Sequence, residues 1–312
     1  MRSQVPQFAC VHALLMIMSL AGRSSAFWQD AWHIRPAAWR RASRISVVSP
    51  SLSGESEAGS TTSKNKVTLP GFIDGPSLET KPEYETLHGP LGKGADKLFL
   101  EIFRSRMAEE VGVDSNLPRD DYQGLMELTA ALNARYSNRQ EVQHVAQNVL
   151  RSLFPSWLPG QYAVLFSRPF PAFSARMNAW ATKWAGTWLM GECEINDCEI
   201  DGGGIGEKQG LLVKRCRFLE ESGCASVCVN SCKIPTQNFF IQDMGLPLTM
   251  EPDYETGECQ FSFGLTPNLA TEFDAKDTPC LKRCPTAGSM RKWHDGGATQ
   301  PNRCSLMDGD ED

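Results

Sequence analysis

The side chains with most chemistry to offer are cysteines, eleven in 312 residues against five histidines. Cys10 stands apart near the N-terminus, and the other ten lie between Cys193 and Cys304. Cys216, Cys224, Cys228 and Cys232 follow a C-x7-C-x3-C-x3-C spacing; Cys259 comes next, then Cys280 and Cys284, with Pro285 directly after. Past residue 66 the histidines are His88, His144 and His294, too few for a Ser/His/Asp or Cys/His nucleophilic set. A thiolate metal site is within reach. Three chemistries compete for these residues. An even number of cysteines after removal of Cys10 suits disulfides in a secreted chain. Cys228, Cys232, Cys280 and Cys284 form two C-x3-C pairs, which suits zinc held by four thiolates. Soft thiolates also suit iron, mononuclear or as an iron–sulfur cluster, and a Cys-Pro pair closes some cluster motifs. If residues 222–232 are helical, Cys224 and Cys232 are about 12 Å apart along the axis at ~1.5 Å per residue. One small centre then takes both only if the helix breaks between them.

Aromatic residues supply the second candidate feature. Phe173, Met177, Trp180, Trp184 and Trp188 fall at steps of 4, 3, 4 and 4, one face of a helix. Such a stripe packs on a core in the plain reading. In the functional reading Trp180, Trp184 and Trp188 form a wall for a long apolar ligand or touch lipid. Other residues promise less. Arg215, Arg217 and Lys233 are expected to pair with nearby acids. Asp197, Glu199 and Asp201 read as a solvated hairpin rim. Cys193 and Cys198, five apart on a strand, are expected to face opposite sides.

Charge narrows the partners. The net charge of −6 hides an asymmetry: residues 1–69 hold eight Lys and Arg against three acids, and the remainder holds 23 against 34, a net of −11. An acidic body without a basic stripe argues against nucleic acid. The glycines at 202–204 precede a strand and not a helix, so they match no dinucleotide fingerprint, and there is no P-loop; nucleotide binding is not expected. Mean hydropathy of −0.32, with no long uncharged apolar run in the body, excludes a polytopic membrane protein.

The elements that must position these residues are legible in outline. Apolar periodicity predicts helices over about 94–111, from Tyr122 to Tyr136, and from Val142 to Leu153 before Pro155. Residues 155–173 are broken by four prolines. Glu192–Ile200 and Gln209–Phe218 read as two strands joined by a loop beginning Asp201-Gly202-Gly203-Gly204. The predicted class is α+β: a helical region over 67–187, then a small strand-containing, cysteine-rich, metal-binding domain over 188–286 and an acidic tail over 287–312. Ahead of it, residues 1–26 have the charged start, apolar centre and small-residue cut of a signal peptide. Residues 27–66 follow as an Arg-rich, acid-poor, transit-like stretch and a Ser/Gly/Thr linker. A signal peptide followed by a transit peptide is the address of a plastid enclosed by extra membranes.

The run from Arg215 to Gly264 resembles the C-terminal domain of the plastid β-carotene isomerases, the Dwarf-type enzymes that open the strigolactone route in land plants. The resemblance rests on Arg215-Cys216-Arg217-Phe218-Leu219, Gly223-Cys224 with Cys228 and Cys232, and Lys233-Ile234-Pro235-Thr236-Gln237 with Phe239-Phe240. Gly245 to Met250 with Pro252, Cys259-Gln260-Phe261, Pro279-Cys280, Cys284-Pro285 and Trp188-Leu189-Met190-Gly191 extend it over about 188–286. It implies an iron-dependent plastid isomerase interconverting all-trans- and 9-cis-β-carotene or a related carotenoid, in peripheral contact with the plastid membrane. It carries no settled catalytic residues. A hydrocarbon gives acid–base catalysis nothing to grip, so rotating one C=C calls for transient loss of bond order by electron exchange or reversible radical addition. Thiolate-held iron has that redox reach and zinc does not. On this reading Cys224, Cys228, Cys232, Cys280 and Cys284 are the main ligands and Cys216 and Cys259 the alternates. The rival is a non-enzymatic, zinc-stabilised domain that binds carotenoid or protein.

Overall fold

The computed structural model describes residues 72–136, 138–268 and 278–284. The expected signal peptide, transit-like stretch, linker and acidic tail lie outside the described residues, as does Cys304. Leu69–Asp312 is one compact unit with its own hydrophobic core.

Four long helices and one short one build the first half. Helix α1 is Lys93–Val111, α2 Tyr122–Arg135, α3 Arg139–Ser152, and α5 Pro171–Met190; the short α4, Leu158–Tyr162, runs into a π turn at Ala163–Ser167. The starts of α2 and α3 are set by side chains that satisfy the orphan amides of a first turn. Asp121 accepts from the Gln123 amide at 2.8 Å, and Asn138 from the Gln140 amide at 2.7 Å. Leu125, Leu128, Leu132 and Val142 are fully buried where α1, α2 and α3 pack. Arg104 of α1 is buried among them, so every charge-bearing nitrogen needs a partner. It donates to Asp114 at 3.0 Å, to the carbonyls of Ser115 and Leu117 at 2.8 and 3.0 Å, and to that of Pro118, tying down the loop before α2. Gly124 is there because any side chain would overlap the guanidinium.

The second half is built on a four-stranded antiparallel sheet ordered β2-β3-β5-β4: β2 is Cys193–Ile200, β3 Gly204–Val213, β4 Leu248–Pro252 and β5 Cys259–Phe263. The hairpin turns at Gly202 and Gly203, with φ of 87° and 75°, a left-handed pair that glycine adopts without a Cβ clash. The second predicted strand is therefore displaced. It begins at Gly204 and ends at Val213, and Arg217–Ser222 is helix α6. Arg217-Phe218 cannot extend the ladder because the chain turns there onto the sheet's face. After Gly223, with φ 59°, come α7 (Ala225–Val227), a π turn at Cys228–Lys233, α8 (Ile234–Asn238) and another π turn at Phe239–Asp243. β1 (Phe72–Ile73) and β6 (Cys280–Leu281) pair in parallel as a separate two-stranded ladder.

Pairing register sets which side chains meet. Cys193, Val213, Cys259 and Pro252 form one row across the four strands, and Ile195, Leu211, Phe261 and Met250 form the next on the same face. The expected α+β class is what the chain adopts.

Candidate thiol site

Helices α6 to α8 lie over this row and enclose a cavity of about 10 Å³, room for one water-sized group. Four thiols line it, from three different elements. Cys259 comes from β5, Cys216 from the residue before α6, and Cys228 and Cys232 from the π turn. The spacing problem does not arise, because Cys228 and Cys232, about one turn apart on the π turn, line the cavity while Cys224, eight residues from Cys232, does not. Met190, Leu219, Met250 and Phe261 complete an almost wholly apolar wall, with Lys233 and Glu258 at its edge.

Burial is the dominant influence on these thiols. It pushes Cys232 up to about 12 and moves Cys216, Cys228 and Cys259 upward too, and neighbouring thiols add to the effect at Cys228, Cys232 and Cys259. Lys233 opposes it weakly at Cys228 and Cys259. At neutral pH the cavity is walled by SH groups. Cys193, at the end of the same row, is likewise pushed up to about 12 and donates to the Gly191 carbonyl at 3.3 Å. A folded-state value above the unfolded one stabilises fully below the unfolded value, near 9, and the benefit is lost as pH rises toward 12. Each such thiol costs about 1.4 kcal/mol per pH unit in that window. Urea midpoints measured at pH 8 and pH 10 are expected to fall steeply, and a flat profile would show these thiols to be solvated.

The cysteines expected to act together divide into two groups. Cys228 and Cys232 are joined by Cys216 and Cys259, the two residues expected only as alternates. Cys224, Cys280 and Cys284 do not line the cavity; α7 packs on β6, and Gly223 faces Arg283. Soft sulfur suits iron or zinc in kind. In placement it does not: among the described residues no three His, Cys, Asp or Glu side chains are gathered closely enough to hold a metal ion. Cys193, Cys198, Cys216, Cys228, Cys232 and Cys259 are free thiols, so the disulfide reading has no support at these six.

The aromatic stripe also divides. Trp180 and Trp184 are half-buried neighbours with ring centroids 4.4 Å apart. Trp188 is buried in the core, its ring edge-on to Phe103 at 5.8 Å, which is the packing role. The basic residues behave as structural groups: Arg215 pairs with Glu220 and Arg217 with Glu85, while Arg217 also stacks 3.7 Å from the Tyr122 ring centre. Asp197 and Asp201 accept hydrogen bonds from Lys208 and Thr266 as part of their turns. Cys198 bonds to Ser262, away from Cys193.

Residues 188–272 match the family described as beta-carotene isomerase D27-like, C-terminal. The chain is similar to the protein named beta-carotene isomerase D27, chloroplastic, of Arabidopsis thaliana, with 28% identity over 60% of this chain and 69% of that protein. The protein of the same name from Medicago truncatula is 29% identical over 61% of this chain and 72% of its own length. No solved structure matches the chain. All four cavity thiols fall inside the matched segment, and Cys280 and Cys284 fall beyond it. Over residues 188–272 the chain is thus similar to the beta-carotene isomerase D27-like family.

Proposed function

We propose that this chain is a carotenoid cis/trans isomerase of plastids, interconverting all-trans-β-carotene or a related carotenoid and its 9-cis isomer. The observation that carries the reading is the cavity itself: four thiols from three elements enclose one apolar space within the segment that matches the isomerase family. The relatives' names supply the substrate class and the compartment. Thiols are apt because a thiyl radical adds to a C=C bond and leaves it again, lowering the bond order in between without net oxidation; iron would accept the electron as a thiol loses its proton and return it at the end, whereas hydrogen bonding gives no hold on a hydrocarbon. A space of about 10 Å³ excludes a carotenoid, so the polyene lies against the domain and not within the cavity as it stands. Iron enters the proposal as a cofactor whose uptake requires the thiols to deprotonate and draw together. The substrate is drawn from a membrane, where the protein makes peripheral contact.

The test is purification of residues 69–312 without oxygen, iron and zinc analysis, and chromatography of carotene isomers after incubation with all-trans-β-carotene dispersed in detergent. Formation of a cis isomer by protein containing iron is the expected result. Failure to isomerise by an iron-loaded, folded sample would sink the reading, and stoichiometric zinc without turnover would favour a binding domain.

A further inference from the structure

Residues 157–173 are built inside out. Trp157, Val164, Leu165, Phe166, Phe170 and Phe173 are between 37% and 59% exposed, a density of large apolar groups that a water-facing hairpin does not carry. The polar side chains of the same turn-and-helix unit point inward. Tyr162 bonds to Ser174 at 2.9 Å, Asn178 donates to the Tyr162 hydroxyl at 2.7 Å, and Ser167 donates to the Met244 carbonyl at 2.8 Å. A small core of Tyr162, Phe239 and Met244 lies beneath. The hydrogen bonds hold the apolar groups outward, so their exposure is a built feature and not loose packing.

Charge indicates what they face. Residues 142–191 contain no Asp or Glu and four Lys or Arg, in a body whose net charge is −11 (23 basic against 34 acidic residues). Arg151 pairs with Asp243, and Arg176 donates to the Glu207 carbonyl; Arg168 is exposed between Phe166 and Phe170. No helix among the described residues is long and apolar enough to cross a bilayer. Aromatic groups flanking an exposed arginine are the composition of a surface that sits at a headgroup boundary.

We propose that the outward face of residues 157–173 docks the protein on an anionic lipid bilayer. The proposed contact with lipid lies on residues 157–173, ahead of Trp180 and Trp184 in the chain. Phe170 and Phe173 enter the boundary, and Arg168 pairs with lipid phosphates. The docking rests on geometry; its service to catalysis rests on the proposed carotenoid substrate.

The experiment is co-sedimentation of residues 69–312, a compact unit with its own core, with carotenoid-free phosphatidylcholine vesicles, with and without phosphatidylglycerol. Binding is expected to strengthen about 5-fold with the anionic lipid. Phe170→Asp with Phe173→Asp should weaken it at least about 30-fold. Both side chains are exposed, so an unchanged melting temperature is expected. Ile205→Asp, at an exposed site on the sheet hairpin, should bind as the parent does. Equal binding by the double variant, or no binding by the parent, overturns the proposal. So does a parent dimer that ignores vesicles and is made monomeric by the double variant, since a second copy then covers the face. Turnover of detergent-dispersed carotene separates the two readings: a chain that docks without isomerising loses only its proposed function, and one that isomerises without docking loses only this surface.

Discussion

Cys228→Ser is expected to lower isomerase activity at least about 100-fold while leaving the fold intact. Cys228 is 5% exposed, stands on the π turn and shares the cavity with Cys216, Cys232 and Cys259. Serine matches its shape and removes the sulfur. A hydroxyl buried in an apolar wall costs about 1–3 kcal/mol, which a domain with this core tolerates. Cys198→Ser is the matched control, because Cys198 is also buried but stands by Ser262, outside the cavity. The measurement is turnover of dispersed carotene beside a thermal melt and an iron analysis for each variant. Loss in Cys228→Ser with retention in Cys198→Ser places the chemistry at the cavity. Equal, high activity in both would make the four thiols a structural cluster. Cys280→Ser adds a further arm, since it tests the thiols that spacing alone favoured and the fold places elsewhere.

Much of this arrangement was legible before the structure. Helices α1 to α3 follow from apolar steps of three and four, and the hairpin from its glycines. Grouping Cys228 with Cys232 follows from their spacing. What the pattern could not reveal was how Cys216 and Cys259, 43 positions apart, come to the same space. That depends on two long-range facts: Val213 pairs with Cys259 in the ladder, and the chain turns into a helix at Arg217. Reading Gln209–Phe218 as one strand hid the second. The π turn was equally invisible, because in so short a helical run the phase shift from one inserted residue leaves no distinct pattern. The aromatic stripe misled for another reason. Periodicity finds a shared face without saying whether core or solvent covers it, and Trp188 went to the core. The outward hairpin had a signal of its own in the absence of acids from 142 to 191, which prolines and short elements obscured.

Glu220→Ala is expected to destabilise the protein by about 3–5 kcal/mol, the range for removing one partner of a buried ion pair. The Glu220 side chain is 1% exposed. It accepts from Arg215 at 2.5 and 3.1 Å and from the Tyr84 hydroxyl, and Arg283 stands 4.0 Å away. Without the carboxylate, the Tyr84 hydroxyl loses its partner. Arg283, whose Nε and Nη2 have no hydrogen-bond partner among the described residues, loses its neighbouring anion. Arg215 also donates to the carbonyls of Ser77 and Thr80 at 2.7 and 2.8 Å, so the cluster fastens residues 77–86 to α6. Cys216 stands between the two, its amide on the Gly257 carbonyl at 2.7 Å and its own carbonyl accepting from the Glu220 amide at 3.0 Å. Loosening the cluster therefore loosens one wall of the thiol cavity. Glu220→Gln keeps the shape and one acceptor oxygen, and about half the loss is expected. Urea unfolding measures both, and the reactivity of the buried thiols toward a thiol reagent under native conditions shows whether the cavity opens. Losses under about 0.5 kcal/mol in both variants would place the pair among solvated surface ions. A large loss with unchanged thiol reactivity would separate the strap from the cavity it borders.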